Sequence, residues 1–176
     1  MTPETRRQAQ ATPKSAQYFL PWNRWRDHGL APKVTGWFQN LTGSSASDFL
    51  QGGSGADHLI GGGGLDRLDG GGGADTFVFN TAPDGSNVAY IANFGFADGD
   101  TLEFDSTSFT ALTPGALNAN EFVAASEAQT ANQHLVFDQN VGKLYYDADG
   151  NGAAHQEVIA VFQQIDQLDA THINVT

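Results

Sequence analysis

The 176-residue sequence contains no cysteine, which excludes disulfides and thiolate metal sites. Basic residues are also scarce: eight Lys and Arg stand against twenty Asp and Glu, for a net charge of −12. The few that exist are unevenly placed. Residues 1–33 hold six of them beside two acids, whereas residues 34–176 hold only Arg67 and Lys143 beside eighteen acids. So acidic a body repels phosphate, which excludes nucleic acid as a partner, and divalent cations would relieve its self-repulsion. No apolar run approaches the roughly 20 residues of a membrane-spanning helix. The opening MTPETRRQAQATPKSAQ lacks the apolar core of a cleaved signal peptide. Enzyme signatures are missing too. There is no HExxH, no GxSxG, no GxxxxGK and no GxGxxG that opens a helix, which argues against a zinc protease, a lipase elbow and the common nucleotide folds. Paired carboxylates are plentiful, but all fall in repeats or turns, so the expectation is that the chain is not an enzyme.

Glycine is abundant, at 21 residues, and it is concentrated. Residues 43–78 divide into four blocks of nine: GSSASDFLQ, GGSGADHLI, GGGGLDRLD and GGGGADTFV. The sixth place is always aspartate (Asp48, Asp57, Asp66, Asp75) and the eighth always large and apolar (Leu50, Leu59, Leu68, Phe77). A fixed period of this kind sets the architecture. The glycines allow a tight turn that gathers backbone carbonyls, and the last three places alternate as a short strand with its middle side chain inward. Turn and strand in repetition make a flattened coil with two blocks per turn. Blocks two apart then stack on one edge, placing Asp48 over Asp66 and Asp57 over Asp75. Carboxylates and carbonyls are hard oxygen donors that suit calcium, with its six to eight ligands, better than magnesium or the softer metals. A flexible glycine linker would not carry a periodic aspartate and a periodic leucine.

The blocks resemble the RTX calcium-binding nonapeptide GGxGxDxUx. Gly52–Ile60, Gly61–Asp69 and Gly70–Val78 match at every defined place, and Gly43–Gln51 is a worn first copy. The resemblance implies calcium ions held between stacked turns. One site would use Gly43, Ser45 and Asp48 with Gly62, Gly64 and Asp66; the other would use Gly52, Ser54 and Asp57 with Gly71, Gly73 and Asp75. The stretch IANFGFADGDTLEF (91–104), beyond the last repeat, is similar to the serralysin-like RTX proteins, with Asn93 where they often carry aspartate. In that family the uncleaved C-terminus is the signal for a type I, ABC-type secretion machine. The resemblance therefore implies a secreted, extracellular protein exported without a cleaved N-terminal signal peptide.

The remaining chain reads in pieces. Residues 1–16 are polar and expected to be disordered. Residues 17–40 are aromatic and basic, and they contain all three tryptophans. This segment is expected to cap the open end of the coil, as repeat arrays require. The competing reading is a patch (Trp22, Arg24, Trp25, Arg26) for a surface partner, a membrane interface, a glycan or self-assembly through 17–38. Residues 41–80 form the roll, with QNLT (39–42) leading in and Leu41 nine residues before Leu50. Residues 81–176 form a C-terminal β subdomain. Its expected parts are strands in 88–94 and 101–104, a short helix in ANEFVAASEAQ capped by Asn118 or Asn120, a hairpin LVF–DQNVG–KLYY, a strand over 158–162 and a last short piece, THINVT. Asp147, Asp149 and Asn151 open a loop, DADGNG, with the spacing of an EF-hand start. Its twelfth place is Val158 and strands flank it, so a hairpin turn is expected, with a further metal as the competing reading.

The fold expected is all-β: a parallel β-roll of about two coils running into a β-sandwich-like C-terminal part with one or two short helices. The function expected is calcium-induced folding in support of export and extracellular stability, without catalysis. The alternatives are the secretion module of a larger exported protease or lipase and a calcium-dependent self-assembling adhesive protein.

Overall fold

The structure, a computed structural model, describes residues 17–18, 37–163, 165 and 167–176. The readings placed on residues 1–16, and on Trp22, Arg24, Trp25 and Arg26, lie outside the described residues.

The chain winds between two sheets. From β1 (Gln17–Tyr18) and β2 (Asn40–Thr42) it alternates through β3 (Phe49–Gly53), β4 (His58–Ile60), β5 (Leu65–Gly71), β6 (Thr76–Phe79), β7 (Val88–Ala92) and β8 (Thr101–Phe104). In one sheet β1, β2, β4, β6 and β8 lie side by side, and in the other β3, β5 and β7, all parallel. The nonapeptide period accounts for this. A register shift of eighteen residues keeps each eighth-place side chain over its counterpart two blocks earlier. Leu41, Leu59, Phe77 and Leu102 form one inward column, and Leu50, Leu68 and Ile91 form the facing one; all are buried. Each of these side chains contributes about 1.5–3 kcal/mol through burial.

The coil does not stop where the repeat does. Residues 105–156 leave it to form β9 (Gly115–Ala116), β10 (Phe122–Val123), β11 (Leu135–Asp138) and β12 (Lys143–Tyr146). The chain then returns as β13 (Glu157–Phe162), parallel to β7, and β14 (Ile173–Val175), parallel to β8. Ile173 and Phe162 extend the two apolar columns by one more layer. Beyond β13 the second sheet continues through the antiparallel pair β12 and β11 to β10, and β9 closes the first sheet against β14. Both sheets and one core, from Leu41 to Val175, therefore run across the junction at residue 80. A second inward layer, in which Phe79 stacks on Phe104 at 4.8 Å and Phe109 meets both Phe104 and Tyr146 edge-on, ties the coil to the excursion.

The expected hairpin is present as β11 and β12. The expected helix is not. Asn118 caps only a single 3₁₀ turn, Ala119–Glu121, after which the chain enters β10. Phe122 and Val123 extend beside Leu135 and Val136 instead, a pairing that suits aromatic and β-branched side chains. The other 3₁₀ turn, Ala170–His172, leads into β14.

Candidate metal centre

Each sixth-place aspartate points inward at the bend between turn and strand. Asp48, Asp57, Asp66 and Asp75 are all buried, at 1–4 % exposure. The reason is local: place six lies two residues before the inward eighth place, and on a strand these share a face. Asp66 and Asp75 each bridge two coils. The Oδ1 accepts from the backbone N–H of the residue in the same place two blocks earlier: Asp48 N–H to Asp66 at 3.0 Å, and Asp57 N–H to Asp75 at 2.8 Å. The expected stacking of Asp48 over Asp66 on one edge, and Asp57 over Asp75 on the other, is thus present.

The second oxygen of each carboxylate folds under its own turn, where only glycine leaves room. A Cβ on Gly52, Gly61 or Gly70 would lie 2.3, 2.4 and 2.3 Å from Oδ2 of Asp57, Asp66 and Asp75 respectively. Stacked turns touch through their backbones. Gly72 N–H donates to Gly53 O and Gly63 N–H to Ser44 O, at 2.8 and 2.9 Å. Gly71, at φ +97°, sits so close that a Cβ would be 2.0 Å from Gly53 O. The structure therefore brings the turn of 43–48 to that of 61–66, and the turn of 52–57 to that of 70–75. The third-place Ser45 and Ser54 are exposed at the rims.

The ladder is longer than the repeat. Gln39 stands in the sixth place of a degenerate block, 34–42, and its backbone N–H donates to Asp57 Oδ1 at 2.9 Å. At the other end Asp75 N–H donates to Asp100 Oδ1 at 2.8 Å, and Asp100 Oδ2 accepts from Gly95 N–H at 2.8 Å. Residues 95–103, GFADGDTLE, are thus a further block with Gly95 first, Asp100 sixth and Leu102 eighth. Two insertions hide it, because the register offset grows from 18 residues to 23 at β7 and to 25 at β8. On the other edge the ladder ends, since Ala89 pairs with Asp66. Asn93, read as a departure from the family's aspartate, has φ +55° and donates its Nδ2 to Asp69 Oδ1 at 2.7 Å. An aspartate there would face a carboxylate.

Among the described residues the charge of this ladder is uncompensated. Residues 37–104 hold nine carboxylates and one Lys or Arg, Arg67. Arg67 is exposed, with its guanidinium between the rings of Phe49 and Tyr90 at 5.7 and 5.5 Å. The one ion pair among the described residues, His172 with Asp169, lies outside the ladder. Burial pushes the Asp66 carboxyl up to about 6, with the Asp48 N–H bond opposing the shift and the Asp48 charge adding to it. It pushes Asp75 up to about 7, against the Asp57 N–H bond and with the charges of Asp100, Asp57 and Asp69 adding. Asp57 and Asp100 are raised for the same first cause.

Three carboxylate oxygens of the ladder are buried without any hydrogen-bond partner: Asp48 Oδ1, Asp57 Oδ2 and Asp75 Oδ2. An orphaned buried carboxylate oxygen is costly unless a cation meets it. Among the described residues no three His, Cys, Asp or Glu side chains converge, so any cage here draws on backbone carbonyls as well as carboxylates. That is the donor set of calcium, not of zinc. The orphaned oxygens and the glycine cradles fit the ion that the repeat implies.

Comparison with known proteins agrees for the repeat. Residues 42–77 match the RTX calcium-binding nonapeptide repeat in four copies. No curated protein matches the chain. Among solved structures, the AlgE6R3 subunit from the Azotobacter vinelandii mannuronan C5-epimerase is similar. It shares 18% identity at a TM-score of 0.44, over 98% of this chain and 85% of that one.

Proposed function

The chain carries a calcium-binding RTX repeat folded as a β-roll, and we propose that its role is calcium-gated folding in support of export through a type I secretion machine, with no catalysis of its own. The reading rests on one observation: among the described residues, Asp57 Oδ2 and Asp75 Oδ2, on the same edge, are buried with no partner and no basic side chain paired to them. Calcium, when bound, supplies the charge that the ladder lacks. Asp57 and Asp75 with carbonyls of Gly52, Ser54, Gly71 and Gly73 would hold it on one edge. Asp48 and Asp66 with those of Gly43, Ser45, Gly62 and Gly64 would hold it on the other.

Without the ion, stacked carboxylates repel and oppose the stacking of the turns, which suits a chain that must thread a channel from a calcium-poor cytosol. Extracellular calcium modules bind with Kd on the order of 0.1–1 mM. At a few mM calcium each site would add roughly 1–2 kcal/mol by mass action. Two such sites are a large share of the stability of a small domain.

The test is a calcium titration followed by far-UV circular dichroism and particle size. The strand signal should appear with calcium and vanish with chelator while the particle stays monomeric. A full strand signal in chelator would overturn the folding reading, and growth in particle size would favour self-assembly. Export is tested by co-expression with a type I transporter, where the chain should reach the medium only when the transporter is present.

A further inference from the structure

Outside the roll, the connection between β12 and β13 carries a second cluster of hard oxygens. Asp147 directly follows β12 and is 5 % exposed, and its Oδ1 is buried with no hydrogen-bond partner. Asp149 lies two residues on, close enough for the charges of the two carboxylates to act on each other. Among the described residues no lysine or arginine pairs with either. Like charges held together, one of them out of water, are unfavourable unless a cation lies between them.

The loop is built around these carboxyls. Gly150 takes φ +64° and lies against the carbonyl of Thr130, where a Cβ would be 2.6 Å from that oxygen. Gly152 packs under Asp149, where a Cβ would meet Oδ2 at 2.0 Å. In the roll too a glycine lies under a carboxylate, there five residues before the aspartate and here three after it. Asp149 Oδ2 also accepts from Ala154 N–H at 3.1 Å. Asn151 donates its backbone N–H to Thr130 O and its Nδ2 to Gln129 O, which leaves Oδ1 as the atom it can offer a cation. His134 does not compete as a soft ligand through Nδ1, which pairs with the Asp147 carbonyl at 2.8 Å.

We infer that Asp147, Asp149 and Asn151 form a calcium site separate from the roll, which pins the β12–β13 connection to the 129–133 segment. It is not an EF-hand. Strands flank it, and the one nearby glutamate, Glu157, turns its carboxylate to Gly85 instead. Magnesium fits poorly, because it demands a tight octahedron, and zinc lacks nitrogen and sulfur ligands here.

The test is an ion count by native mass spectrometry on the full chain in calcium, with the calcium-dependent circular dichroism followed in parallel. D147N/D149N should bind one ion fewer than the parent and keep the dichroism transition of the roll. If the double variant fails to fold, D149N alone, at an exposed position, should weaken one ion at least tenfold and leave the others unchanged. An unchanged ion count in the double variant, or unchanged affinities in D149N, would overturn the site. Asp75→Ala should do the reverse, losing calcium from the roll and keeping the loop ion. Failure of the roll reading and failure of this one therefore leave different patterns.

Discussion

The backbone N–H of Asp75 donates to the carboxylate of Asp100, 2.8 Å away and 25 residues later in the chain. The last intact nonapeptide is thus stacked on a block that the period does not reveal. Asp100 also accepts from Gly95 N–H, so it satisfies two main-chain donors at once. Asp100→Ala should leave both unpaired beneath the roll. An unsatisfied buried donor costs on the order of 1–3 kcal/mol. Urea unfolding in saturating calcium should register a loss of that order or larger, and a loss near zero would mean that the block is not stacked in solution.

Asp75 and Asp48 make unequal demands on an ion. The Asp48 Oδ2 already accepts from Ser44 N–H at 2.6 Å and Ser44 Oγ at 2.8 Å. Asp48 Oδ1 and Asp75 Oδ2 are both orphaned, but the bonded oxygen of Asp48 serves only its own turn, whereas Asp75 Oδ1 ties down Asp57 in the neighbouring coil. Asp75→Ala should therefore raise the calcium midpoint more than Asp48→Ala does. Equal midpoints would move the principal site off this edge.

Gly71 and Gly72 are neighbours with opposite tolerances. A Cβ at Gly71 would meet Gly53 O at 2.0 Å in a backbone at φ +97°, whereas one at Gly72 would find nothing within 4 Å. Left-handed backbone alone costs a side chain about 1–2 kcal/mol. Gly71→Ala should lose at least that much stability, and Gly72→Ala should stay within about 0.5 kcal/mol of the parent. Thermal melts in calcium measure both, and similar melting points for the two variants would refute the close stacking of the turns.

The raised carboxyls of Asp66, at about 6, and Asp75, at about 7, fix the sign of the pH dependence. In the unfolded chain both titrate at about 3.9. The folded, calcium-free roll therefore binds protons more tightly, and its stability falls as pH rises through 6 to 7. In chelator, far-UV circular dichroism should recover part of the strand signal at about pH 5 and none at about pH 8, on either side of that window. In calcium, acidification over the same range should weaken binding, because protons compete for the same oxygens. A flat profile in chelator would show that these carboxyls ionise normally.

Much of this was legible in the sequence. The repeat alone implied the two edges, the pairs Asp48 with Asp66 and Asp57 with Asp75, and the columns of leucine and phenylalanine, because nine residues set a strand, a turn and an inward side chain together. What it hid was the reach of the coil. Five extra residues before β7 and two more before β8 break the period while leaving Gly95, Asp100 and Leu102 in their places. A search that tolerates insertions at the turn would have found them, whereas Leu41 was already legible nine residues before Leu50. The return of β13 and β14 after the excursion had no such mark. Strands of three to six residues pair with distant partners through side chains that any inward strand would carry. The expected helix over 119–129 failed for a related reason, since a good cap at Asn118 cannot outweigh sheet pairing for Phe122 and Val123.

The shared core makes a strong claim about folding. β7 and β8 are the last strands before the excursion, and each is paired on its far side by a strand from the C-terminal third, Ala160 beside Ala89 and Ile173 beside Leu102. Phe104 likewise depends on Phe109 for its cover, at 5.0 Å. A chain cut after residue 104 would keep every nonapeptide and every ladder aspartate, yet it would expose two sheet edges and a row of phenylalanines. Calcium bridging alone would then have to offset what burial supplied. The 1–104 fragment should show no cooperative strand transition at calcium concentrations that saturate the full chain. Mixing it with a 105–176 fragment should restore the transition in part. A fragment that folds alone with the parent's calcium midpoint would mean that the roll is autonomous and that the C-terminal strands only decorate it.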